Sequence, residues 1–204
     1  ATGGLYMLGS QAEHAVEKFT GGSISADKTE EVYREILRDK KNIVLIGMPG
    51  CGKTTLGKIS ADKLHKKFTD TDDEIIKRIN MPIADYFAKH GEESFRRIES
   101  EVIKEIAACQ SLVIATGGGA VLNPDNIRLL KENGTVVFID RPLEKLVTTA
   151  DRPLSSSREL LEKRYKERYG LYCAAADIKI DAVDEIGQNV KNIEEVFLNE
   201  NTCN

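Results

Sequence analysis

The chain has 204 residues, 41% of them hydrophobic and 30% charged, with a formal net charge of −4. This length suits one compact domain of roughly 150–170 residues plus an appendage, and the acidic balance argues against a broad basic footprint for nucleic acid. No apolar run approaches the roughly 20 residues that cross a bilayer, and the N-terminus lacks the basic and apolar regions of a secretory signal, so neither nucleic acid nor membrane is an expected partner.

Leu8, Ala12, Ala15 and Phe19 recur at helical spacing before Gly21-Gly22 breaks the pattern. Asp27 and Glu30 form a capping-box-like pair ahead of Val32, Ile36 and Leu37, which predicts a second short helix. The charged run Arg38-Asp39-Lys40-Lys41 then marks a boundary, with residues 1–40 as a helical extension and 41–204 as the main domain. Ile43-Val44-Leu45-Ile46 is a continuous apolar run ending in glycine, the pattern of a strand buried on both faces of a parallel sheet. Helical spacing follows at Leu56, Ile59 and Leu64, then a short strand near Phe68 and a helix from about Asp73. Phe95, Ile98, Val102 and Ile106 mark a long amphipathic helix, and Leu112-Val113-Ile114-Ala115 a second buried strand, interrupted by Gly117-Gly118-Gly119. Pro124 to Lys131 reads as helix, Thr135 to Ile139 and Ile178 to Ile180 as strands, and Ile186, Val190, Ile193 and Phe197 as a final helix. Strands alternating with helices imply βαβ units and a parallel sheet covered on both faces.

The four cysteines (Cys51, Cys109, Cys173, Cys203) and three histidines (His14, His65, His90) are scattered, with no C-x-x-C pair. That argues against a zinc site or disulfide framework and implies a reducing cytoplasm.

Gly47-Met48-Pro49-Gly50-Cys51-Gly52-Lys53-Thr54 matches G-x-x-x-x-G-K-[ST] directly after a buried strand and before a helix. Backbone N–H groups of such a loop point at phosphate oxygens, and the helix N-terminus adds positive potential. Lys53 can reach the β- and γ-phosphates of ATP, and the Thr54 hydroxyl can ligate Mg²⁺. The loop specifies a nucleoside triphosphate and Mg²⁺, not the acceptor. No N-K-x-D guanine-reading motif is present, and the chain is short for a motor ATPase.

Asp70-Thr71-Asp72 places two carboxylates at a strand end, where ligands bind in open α/β sheets. One can hold the metal's water shell and the other can accept or orient an acceptor hydroxyl, although acidic residues at helix starts also serve as caps. Arg96, in Phe95-Arg96-Arg97-Ile98-Glu99, sits at the edge of an apolar helix face and can fork onto a carboxylate, or simply face solvent. Three consecutive glycines at 117–119 make sense where backbone closely approaches a ligand, or at a sharp turn. Arg152-Pro153-Leu154 and Ser155-Ser156-Ser157-Arg158 form a polar stretch suited to a lid, from which Arg152 can neutralise a transferring phosphoryl group. Arg164, Lys166 and Arg168 before Tyr169-Gly170-Leu171-Tyr172 form a positive cluster suited to an anion.

Taken in order, G-M-P-G-C-G-K-T-T, D-T-D, F-R-R-I-E, G-G-G, R-P-L and R-Y-G-L-Y resemble shikimate kinase over about residues 42–200. The resemblance implies a P-loop NTPase fold of the nucleoside-monophosphate-kinase type: α/β, with a five-stranded parallel sheet, helices on both faces and a mobile lid. It implies an enzyme of aromatic amino acid (chorismate) biosynthesis that makes shikimate 3-phosphate and ADP from shikimate and ATP. Lys53 and the loop positions Gly50, Cys51, Gly52, Thr54 and Thr55 would bind ATP, with Arg152 reaching its phosphates from the lid. Thr54 would ligate Mg²⁺ and Asp70 would hold it through water. Asp72 would bind the shikimate hydroxyls and act as base, Arg96 and Arg168 would grip its carboxylate, and the Gly118 amide would touch it. Thr148-Thr149-Ala150-Asp151 departs from the basic residue that many relatives carry before the lid, and Asp181-Ala182-Val183-Asp184 from the arginine some place by the adenine. The adenine contacts therefore stay unassigned, and the lid looks short.

Gly4-Leu5-Tyr6-Met7-Leu8, Gln11-Ala12-Glu13-His14-Ala15 and Phe19-Thr20-Gly21 resemble the C-terminal helix of shikimate dehydrogenase, which implies a fused dehydrogenase domain absent from this chain, with an unrelated amphipathic extension as the alternative. Gln11 would belong to that enzyme's pocket and has no role in the kinase. The alternatives are a related P-loop kinase for gluconate or a nucleoside monophosphate, and a nucleotide-binding module without catalysis.

Overall fold

The computed structural model describes residues 26–146 and 158–199, with isolated positions between 7 and 19. Leu8, Ala12, Gly21-Gly22, residues 147–157 with Arg152 and most of the expected lid, and Cys203 lie outside the described residues. Residues 1–40 with 201–204 form one compact unit and residues 41–200 another. In the first, α1 (Ala26–Lys40) carries an Arg34–Glu30 ion pair of 3.0 Å at i, i+4 spacing.

The second unit is built on a five-stranded sheet in the order β2-β3-β1-β4-β5. The strands are β1 (Asn42–Ile46), β2 (Lys67–Asp70), β3 (Leu112–Ala115), β4 (Gly134–Asp140) and β5 (Ile178–Asp181), and every pairing is parallel. Val44 lies beside Ile114 on one side and Val136 on the other. All residues of β1 and β3 are buried, so successive side chains, which point to opposite faces, are covered on both. The covering helices are α2 (Lys53–Lys63), α3 (Thr71–Ile79), α4 (Ile83–Ala107), α5 (Pro124–Glu132), α6 (Arg158–Ala175) and α7 (Ile186–Asn199). The buried Asn42 amide ties the sheet's lower end together, donating to the Cys109 carbonyl at 2.8 Å and accepting from the Leu112 N–H at 2.9 Å.

The chain leaves β1 toward the β2 edge and leaves β3 toward the β4 edge, so adjacent connections diverge at the C-terminal ends of β1 and β3. Such a switch point opens a crevice. From Ala26 onward the expected strands and helices are present, with three differences, while the helix expected from Leu8 to Phe19 lies largely outside the described residues. The helix expected from about Asp73 begins at Thr71, because the Asp70 carboxylate caps it by accepting from the Asp72 N–H at 3.0 Å. The long helix starts as early as Ile83 and carries a kink at Gly91 (φ 78°, ψ 172°). Helix α6 has no counterpart among the expected elements. Its inward positions Leu161, Arg168, Tyr172 and Ala175 have helical spacing, but an arginine stands where an apolar residue would reveal the stripe.

Ile114 is fully buried in β3, between β1 and β2. Replacing it by Ala should cost about 2–5 kcal/mol through the lost contacts and the cavity. Urea unfolding checks this, and a loss below about 1 kcal/mol would contradict the packing described.

Candidate active site

The loop after β1 turns back over the sheet through residues with positive φ at Gly47 (146°), Gly50 (81°) and Gly52 (100°). Gly52 is the N-cap of α2, in a left-handed conformation that leaves the helix's first N–H groups facing the loop. The Lys53 ammonium is buried and donates to the carbonyls of Gly47 (2.8 Å) and Met48 (3.0 Å), with Cys51 Sγ at 3.6 Å. These partners are neutral, so the charge remains available to a phosphate. Cys51 is fully buried with its thiol beside the Lys53 ammonium, and Thr55 is exposed.

Beside the loop lies a cleft of about 860 Å³, whose lining includes Thr54, Asp70, Asp72, Arg96, Gly118 and Arg168. Six expected site residues from separate elements therefore meet in one place. Thr54 Oγ1 donates to Asp70 Oδ2 at 2.8 Å, and Asp70 Oδ1 caps α3, so both carboxylate oxygens are held. The hydroxyl and carboxylate are hard oxygen donors next to the phosphate loop, the chemistry that Mg²⁺ takes.

Arg96 lies between two carboxylates, donating to Glu99 Oε2 at 2.7 Å and to Glu92 Oε1 at 3.1 Å. Burial works against its cation, but Glu99 and Glu92 outweigh it and hold the guanidinium above its ordinary pKa. Glu99 is 1% exposed, and burial pushes its carboxyl up, against the pull of Arg96. Asp72 adds to that rise and Arg168 opposes it, so these four charges sense one another. Glu99 was not singled out from the sequence. Its signal was an ionisable residue on the apolar face of α4, three positions after Arg96.

Arg168 is buried and donates to the Gly118 carbonyl at 3.0 Å. Tyr172, one turn later, donates to the same oxygen at 2.6 Å and stacks on Phe138, with ring centroids 5.2 Å apart. Burial raises the Tyr172 phenol well above its usual value, so it stays a hydrogen-bond donor. The three glycines face different partners. A Cβ on Gly117 would lie 2.5 Å from Asp72 Oδ1, one on Gly118 2.9 Å from the Pro49 ring, and one on Gly119 2.7 Å from Arg96 Cζ.

Phosphate-binding backbone on one side and paired arginines and carboxylates on the other make this a P-loop kinase for a small acceptor. The family model described as shikimate kinase matches residues 49–197. A shikimate kinase from Clostridium botulinum (strain Eklund 17B / Type B) is 45% identical over 161 residues, covering 76% of this chain and 97% of that protein. The chain belongs to the shikimate kinase family. A shikimate kinase from Acinetobacter baumannii in complex with shikimate has a TM-score of 0.77 and 31% identity, covering 82% of this chain and 98% of that one. The Aquifex aeolicus shikimate kinase has a TM-score of 0.69 and 35% identity, covering 79% and 98%. A gluconokinase from Sinorhizobium meliloti 1021 is 15% identical at a TM-score of 0.54, a likeness of fold alone.

Gly119→Ala should leave stability within about 1 kcal/mol, because its φ of −98° suits any residue and a flexible side chain is what must move. That side chain is Arg96, so acceptor KM should rise by roughly 10-fold while ATP KM holds. Steady-state kinetics with both substrates varied checks this. An unchanged acceptor KM would show that Arg96 has no part in acceptor binding.

Proposed function

We infer that this chain transfers the γ-phosphoryl group of ATP to the 3-hydroxyl of shikimate, giving shikimate 3-phosphate and ADP. The observation that carries this is the cleft itself. Two buried or half-buried arginines and an aspartate converge beside a phosphate loop, as a small anionic polyol requires. Family membership and the likeness to a shikimate-bound structure support the same acceptor.

Each residue then has a role. Lys53 and the loop amides from Gly50 to Thr55 hold the ATP phosphates. Thr54 and, through water, Asp70 would hold Mg²⁺, which when bound neutralises charge on the β- and γ-phosphate oxygens. Arg96 and Arg168 grip the acceptor carboxylate, and the Gly118 amide supports it. Asp72 orients the 3-hydroxyl and accepts its proton as that oxygen attacks phosphorus. Arg152 reaches the transferring group from the segment 147–157. Catalysis rests on positioning and charge neutralisation, since phosphoryl transfer needs little covalent help from protein.

Among the described residues no helix is long and apolar enough to cross a membrane, and Cys51, Cys109 and Cys173 are free thiols. The free thiols support a reducing cytoplasm as its location. We further propose that residues 1–40 are an appendage to a kinase domain of residues 41–204, and that residues 1–22 derive from the C-terminal helix of a fused shikimate dehydrogenase. The residue pattern from Gly4 to Gly21 supports this. Sequencing the gene upstream of Ala1 tests it. Dehydrogenase coding sequence in frame is expected, and a promoter and start codon there would overturn it.

A coupled ADP-release assay tests the function. Shikimate should support turnover, and gluconate and nucleoside monophosphates should not. Asp72→Asn should fold and lose roughly 10²–10⁴-fold in kcat. Full turnover in that variant would remove Asp72 as the base, and ADP release independent of acceptor would favour a different enzyme.

A further inference from the structure

A third guanidinium faces the acceptor cleft. Arg164 lies one turn before Arg168 on α6, so i, i+4 spacing sets the two side by side, and both line the cleft with Arg96. The three differ in how they are engaged. Arg96 is neutralised by Glu92 and Glu99, and Arg168 donates to the Gly118 carbonyl. Arg164 is half-buried, and among the described residues no hydrogen bond or ion pair engages its guanidinium. Burial and then Arg168 push it below its ordinary pKa, with Arg96 adding to them and Glu92 and Glu167 opposing. Like charges gathered around one cleft, with one of them outside any hydrogen bond or ion pair among the described residues, are relieved by an anion placed between them.

Asp70, Asp72, Asp73 and Glu99 line the cleft, and among the described residues none of them forms an ion pair with Arg164. Asp70 is committed to Thr54 and to the α3 cap, and Glu99 to Arg96. The acceptor's own carboxylate is a negative group of the right size to enter between Arg164 and Arg168. We propose that Arg164 is a specificity-determining residue that receives this carboxylate alongside Arg168 and sets the preference for an anionic acceptor over a neutral one. The proposal rests on shikimate being the acceptor.

The test compares the full-length wild type with Arg164→Gln and Arg164→Lys, using shikimate and its neutral carboxamide, the latter as substrate or competitor. Arg164→Gln should raise the shikimate KM by roughly 10-fold or more, the weight of one hydrogen bond to a charged group. kcat and ATP KM should stay within about 2-fold, and Arg164→Lys should recover part of the loss. Carboxamide affinity should be the same in wild type and Arg164→Gln. An unchanged shikimate KM, an equal loss for the carboxamide, or a fall in kcat with KM retained would each overturn the proposal. The last would place Arg164 on the transferring phosphoryl group. If Arg164→Gln fails to fold, Arg164→Lys must still show a raised KM for shikimate and none for the carboxamide. Wild type inactive with shikimate would overturn the assigned function too, whereas an active wild type with an unchanged variant would overturn only the role of Arg164.

Discussion

The cleft depends on a stretch of backbone without side chains. Gly117 passes Asp72 and Glu99, Gly118 passes Pro49 of the phosphate loop, and Gly119 passes the Arg96 guanidinium, each at a spacing that leaves no room for a methyl group. The Gly118 carbonyl meanwhile takes hydrogen bonds from Arg168 and Tyr172 of α6. Four parts of the chain thus close on one turn at the end of β3. Larger residues at 117 and 118 would press on Asp72 and on Pro49 of the phosphate loop, and donor and acceptor sites would no longer share a wall.

Buried charge is costly, and this site contains several. Glu99 is almost wholly buried, yet Arg96 answers it at 2.7 Å, and a lone buried carboxylate would be far worse than the pair. The pair also fixes Arg96 against α4, so little side-chain entropy remains to be lost on binding an anion. Lys53 is treated differently. Carbonyl oxygens hold its ammonium, which positions the charge without cancelling it. The contrast fits the tasks proposed for them, since a phosphate chain carries more charge than one carboxylate.

Much of this could be read from the residues. The phosphate loop announces itself through glycine spacing after an apolar run, and the structure delivers the expected loop, strand and helix. Asp70, Asp72, Arg96, Gly118 and Arg168 also meet in the cleft, as the shared order of motifs suggested. Helix α6 was not legible, because its cleft-facing positions are arginines and its apolar stripe is broken. Glu99 and Tyr172 were missed for a related reason. Their importance lies in burial and in partners distant in sequence, such as the bond from Tyr172 to Gly118, which periodicity cannot disclose.

The central claim is that the cleft orients an anionic polyol, carboxylate toward the arginines and one hydroxyl toward Asp72. The most direct measurement is a crystal structure of this protein with shikimate and ADP bound. The carboxylate should lie within hydrogen-bond reach of Arg96 and Arg168, with the 3-hydroxyl on Asp72 and pointing at the phosphate loop. Shikimate bound elsewhere, or in the cleft with its 3-hydroxyl turned away from Asp72, would contradict the account.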